Sequence, residues 1–190
     1  MKAASFVAVT FVCAAFLAVP AAAQLGYGAR PVRSDTRGLG IGLQLSGNGV
    51  ESPDASRTVP GAGLGLTLSY GTSDALSVFA RAGAGYRSSQ VDLGARYRLG
   101  SPAAALRPYV EGAMTRFGGV RDNGETDQFR RSWGTGSTVG AGVEYHFSPR
   151  FAADLGAAHL RGRFSAGPDD ADLGQKFNST RVQMGFTWRP

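Results

Sequence analysis

The stretch GAGVEYHFSPRF, residues 140–151, decides how the rest of the chain is read. Val143, Tyr145 and Phe147 alternate with Gly142, Glu144 and His146, and Ser148-Pro149-Arg150 then turns the chain. A period of two marks a β-strand with unlike faces. One face is apolar; the other carries a carboxylate, an imidazole and a glycine. In a soluble lipocalin-like barrel the apolar face would turn inward, and in a barrel surrounded by hydrocarbon it would turn outward.

The same alternation runs from residue 37 to the end, in eight segments. They are Arg37–Ser46, Gly61–Tyr70, Leu76–Arg87, Gln90–Leu99, Arg107–Phe117, Thr138–Phe147, Phe151–Arg161 and Ser179–Trp188. Each is about ten residues long, the length of a tilted strand crossing a bilayer. The connections alternate as well. Gly71–Ala75, Gly100–Leu106 and Ser148–Arg150 are short, whereas Gly47–Val59, Gly118–Ser137 and Gly162–Lys176 are long and polar. Only the second upper connection, around Ser88-Ser89, departs from this alternation. The pattern predicts an all-β, eight-stranded antiparallel up-and-down transmembrane β-barrel.

Three features turn the apolar face toward lipid. The polar face is rich in glycine and poor in charge, unlike a water-facing sheet. Aromatic residues on the apolar face gather at one end of the descending strands: Tyr70, Tyr97, Tyr145, Phe147, Phe186 and Trp188. Tyrosine and tryptophan favour the headgroup boundary, so these six predict a membrane-interface girdle. On the polar face Arg81, Arg96, Glu111, Glu144 and Asp154 fall at matching distances from the short-turn rim. In a narrow lumen such charges can pair, whereas an arginine on the lipid face costs about 2–4 kcal/mol at the midplane. These five form the predicted lumen charge network.

Residues 1–23 carry a lysine start, an apolar stretch and a small-residue exit, which predicts a signal peptide cut before Gln24. A single membrane anchor is the alternative. Residues 24–36 are expected as a short periplasmic N-terminal segment, and 37–190 as the barrel domain. The single cysteine, Cys13, lies inside the leader, so a mature chain from Gln24 has no disulfide, thiolate nucleophile or cysteine–metal site. The net charge is +6, yet the arginines are scattered along an exported chain, so no nucleic-acid partner is expected.

The eight-strand plan, RPYVEGA at 107–113, VGAGVEYHFSPRF at 139–151 and the terminal TRVQMGFTW together resemble the small eight-stranded outer-membrane barrels. These are the OmpA/OmpX-like and opacity-type surface proteins of Gram-negative bacteria. The resemblance implies an outer-membrane location and contact with the barrel-assembly machinery during biogenesis. One departure is that Arg189-Pro190 follow the terminal aromatic Trp188.

Eight strands enclose an interior that side chains just fill. The first functional expectation is therefore a non-enzymatic membrane protein that contributes to envelope integrity and presents surface loops. The alternative is a narrow porin-like channel for small solutes, suggested by inward Gly42, Gly65, Gly94, Gly142 and Gly156. A lipid-modifying enzyme is the third. His146-Phe147-Ser148 near Glu144 resembles the His-x-Ser of lipid A deacylases, but it lies at the short-turn rim, away from the outer leaflet. No catalytic residue is expected. Arg121, Arg130 and Arg131 in the third upper loop are the candidate contact with lipopolysaccharide phosphates, and the loops could reach a host or surface ligand. Asp122-Asn123-Gly124 lacks the spacing and closing glutamate of a calcium loop, so neither metal nor cofactor is expected.

Overall fold

All eight alternating segments form strands. The computed structural model describes residues 36–51, 59–85, 88–121, 130–165 and 176–190. The proposed leader (1–23) and nearly all of the 24–36 segment lie outside these residues, as does Asp122-Asn123-Gly124. The strands are β1 (Gly38–Glu51), β2 (Val59–Gly71), β3 (Leu76–Gly85), β4 (Ser88–Arg98), β5 (Leu106–Arg121), β6 (Arg130–His146), β7 (Phe151–Ser165) and β8 (Lys176–Trp188). Each pairs antiparallel with the next, and β1 pairs with β8 to close the barrel. Closure leaves no unpaired sheet edge, as a hydrocarbon surrounding requires.

The faces are inverted relative to a soluble protein. Leu43, Leu64 and Met114 are 63%, 66% and 71% exposed, while Arg107, Glu144 and His146 are each 1% exposed. Leucines on the inside would have signalled a lipocalin-like interior. Here the outward surface is the oily one.

The strands overrun the alternating segments at their upper ends. The predicted loop Gly118–Ser137 is largely strand, with β5 running to Arg121 and β6 starting at Arg130. Gly47–Val59 and Gly162–Lys176 shrink in the same way, to 52–58 and 166–175 between strands. Polar and glycine residues continue the ladder there without an apolar face to betray it. At the other rim the turns are compact. The Ser148 hydroxyl accepts the backbone N–H groups of Arg150 and Phe151 at 3.2 and 3.1 Å, fixing the β6–β7 turn. Gly100 supplies the φ of +82° that opens the β4–β5 turn.

Candidate functional site

Inward side chains stack as layers along the barrel axis, each centred on a carboxylate. Near the short-turn rim the hub is Glu144 on β6. Arg98 donates to it twice, from Nε to Oε1 at 3.0 Å and from Nη2 to Oε2 at 3.1 Å. Arg96 reaches it at 3.3 Å and Arg189 at 3.4 Å, and His146 Nε2 lies 2.9 Å from Oε1. Arg189 continues the inward phase of β8 past Trp188. Its N–H also donates to the Arg150 carbonyl at 2.8 Å.

One layer up, Glu111 on β5 accepts both Nη atoms of Arg81 at 3.2 Å, and Nε and Nη2 of Arg96 at 3.1 and 2.9 Å. Gln183 donates to it at 3.1 Å and accepts from Gln44 at 2.6 Å. Asp154 faces Arg96 at 3.4 Å and accepts the Tyr109 hydroxyl at 3.2 Å. The Arg96 guanidinium also lies over the Tyr109 ring, 3.8 Å from its centroid. Glu144 and Asp154 are direct register partners, so two carboxylates stand side by side and Arg96 bridges them.

The third hub is Asp92. Arg181 reaches it at 3.2 Å and Arg81 at 3.6 Å, and it accepts from Thr115 at 2.8 Å and Gln90 at 2.6 Å. Above it the lumen turns apolar. Phe177 stacks between Phe117 and Phe164 at centroid distances of 5.3 and 4.5 Å, with Leu160 beside them.

The structure therefore brings Arg81, Arg96, Glu111, Glu144 and Asp154 into one connected network. Asp92, Arg98, Arg181, Arg189, Gln44, Gln183 and Tyr109 join them. The signal for these was their phase. Asp92 and Arg98 share Arg96's face of β4, and Tyr109 shares that of Glu111. The inward glycines serve two ends. Gly142 and Gly156 are register partners whose missing side chains leave room for the Tyr109 hydroxyl; Gly134 and Gly162 seat the Phe177 ring likewise. Gly94 is backed by the Ala113 methyl and the Gly112 carbonyl. Gly42 and Gly65 instead line cavities, one each, of about 30 Å³. Arg81 and Gln44 border both cavities.

The aromatic residues Tyr70, Tyr97, Tyr145, Phe147, Phe186 and Trp188 are all exposed on the outward wall. Tyr145 and Phe147 meet edge-on at 4.9 Å. Phe151, the register partner of Trp188, extends the row. Arg121 and Arg130 are paired ends of β5 and β6, and Arg131 follows in β6, so these three belong to strands rather than to a loop. Their side chains lie outside the described residues. The Ser148 hydroxyl is engaged in its turn, and His146 faces Glu144 inside the barrel.

An inside-out barrel of eight strands with an ionic interior has a counterpart among known families. The model of the outer membrane protein beta-barrel domain matches residues 9–189. The chain belongs to this family. It is an outer-membrane β-barrel, and in such barrels the short turns face the periplasm. Among solved structures, Neisserial surface protein A is 16% identical, with a TM-score of 0.58 over 80% of this chain and 97% of that one. The N-terminal barrel domain of Pseudomonas aeruginosa OprF is 19% identical, with a TM-score of 0.50 over 77% and 97%. At these identities the likeness concerns fold. No curated protein matches in sequence.

Proposed function

We propose that this protein is a non-enzymatic component of the outer membrane, whose filled barrel supports envelope integrity and holds surface loops for contact with lipopolysaccharide or an external ligand. The observation that carries this reading is the interior. Three carboxylate hubs interlock with arginines from three strands and the C-terminus, and a phenylalanine cluster lies above them. Among the described residues, packing of this kind supports a lumen closed to general diffusion. The pure protein in a planar bilayer should give no discrete conductance steps; regular steps would overturn the reading. The cleaved leader and the barrel-assembly machinery belong to the same proposal. N-terminal sequencing of the membrane-extracted protein should begin at Gln24.

A narrow channel is the second reading, favoured by one observation. The two cavities lie on either side of Arg81 and Gln44, and a buried arginine with an unpaired donor lines each, Arg189 in one and Arg181 in the other. Among the described residues, buried Arg81, Arg96, Arg98, Arg107, Arg181 and Arg189 face four carboxylates. Any current through such a lumen would favour anions.

A further inference from the structure

Toward the long-connection end, the outward wall divides into unlike halves. On β1 to β4 the outward residues there include Leu45, Gly47, Ala62, Ala84 and Val91, all uncharged and exposed. On β5 to β8 they include Arg116, Arg161, Arg163 and Lys176, all exposed. Register makes them one surface. Arg116 pairs with Thr135, Thr135 with Arg163, and Arg163 with Lys176; Ser137, Arg161 and Asn178 form the adjoining row.

Among the described residues, none of the four cations takes part in an ion pair. Arg116 lies over the exposed Trp133 ring, 5.3 Å from its centroid. A tryptophan on a lipid-facing wall marks the headgroup boundary, so the cations stand at headgroup level. Hydroxyl and amide groups are interleaved with them, at Thr135, Ser137 and Asn178. The next row down is Val139, His159 and Thr180, and below it Ala157 with Val182 and then Leu155 with Met184 are outward and apolar.

From this order of cations, polar groups and apolar rows, we propose that the outward wall of β5–β8 binds lipopolysaccharide from the outer leaflet. The arginines and Lys176 take the lipid A phosphates, the hydroxyls face its sugars, and the apolar rows receive its acyl chains. Arginine suits this task because its planar fork donates to a phosphate in pairs. The proposal deepens the envelope reading and places the contact on the barrel wall rather than at the Arg121, Arg130 and Arg131 strand ends.

The test is binding of purified lipid A to the full-length barrel in neutral detergent, at fixed ionic strength, with phosphate-free lipid A and phosphatidylglycerol as comparison ligands. Folding is checked by heat-dependent gel mobility. The R161Q/R163Q/K176Q variant should bind lipid A on the order of a hundredfold more weakly, with about a fivefold loss for each single change. The single variants carry the test if the triple does not fold. Phosphate-free lipid A should bind weakly and equally to both proteins. Unchanged lipid A affinity in a folded variant would overturn the site. Equal binding of phosphatidylglycerol, lost to the same extent, would also overturn it by showing a general anionic-membrane contact. A loss confined to R121Q/R130Q/R131Q would overturn this wall and leave the envelope reading standing.

Discussion

Arg96 shows what one residue does in this lumen. It touches Glu111, Glu144 and Asp154 and lies over Tyr109, so it satisfies three carboxylates at once. Glu111 keeps Arg81 if Arg96 is lost, and Glu144 keeps Arg98 and Arg189, but among the described residues Asp154 keeps only the Tyr109 hydroxyl. Removing one partner of a buried ion pair strands the other, at about 3–5 kcal/mol. Arg96→Met should therefore lower the stability of the folded barrel by about that much, measured by urea unfolding in lipid vesicles. Adding Asp154→Asn should restore part of it, because the stranded charge is gone. If the double variant is no more stable than Arg96→Met, Asp154 is not the residue Arg96 neutralises. Gly156 poses the converse problem. A methyl group there would meet the Tyr109 hydroxyl, so Gly156→Ala should cost about 1–3 kcal/mol by overpacking. Tyr109→Phe removes the nearest atom, and a double-mutant cycle should then show coupling between the two positions. Strict additivity would mean that the ring moves aside freely.

At the level of the strand, legibility depended on whether the two faces differ. Between the aromatic girdle and mid-barrel they do, and Val143, Tyr145 and Phe147 against Glu144 and His146 were enough to orient a strand. At headgroup level the alternation fades, because glycine, serine and threonine fall on both faces, so RRSWGTGS at 130–137 reads as loop although it is the upper half of β6. The five charges on the inward phase were legible for the same reason. Their partners were harder to find, because Arg189 lies beyond the last aromatic and Tyr109 looks like one more girdle residue until its phase is counted. The apolar cluster in the upper lumen breaks the polar-inside rule, and no periodicity announces it. Phe177 on β8 is fully buried and fills the recess left by Gly134 and Gly162. Phe177→Ala should destabilise the barrel by about 3–5 kcal/mol, by the same unfolding measurement. A loss below 1 kcal/mol would show that Phe117 and Phe164 collapse into the space.

For the molecule as a whole, the question is whether the charged interior seals the barrel or merely narrows it. Arg81 is the residue on which this turns. It borders both cavities, and its guanidinium is held by Glu111 on one side and Gln183 and Asp92 on the other. With Arg81 in place the polar layers are continuous across the lumen, and a bilayer containing the pure protein should stay silent. Arg81→Ala removes the partition between the cavities and leaves Glu111 paired with Arg96. The barrel wall is unaffected, since the backbone ladder of β3 does not depend on this side chain. If the ionic packing is the seal, the variant should conduct in small discrete steps while the native protein does not. The steps should favour anions, because Arg98, Arg181 and Arg189 still line the path. Silence in both proteins would place the seal elsewhere, at the Phe117, Phe164 and Phe177 cluster, and Phe177→Ala combined with Arg81→Ala should then be the first variant to open.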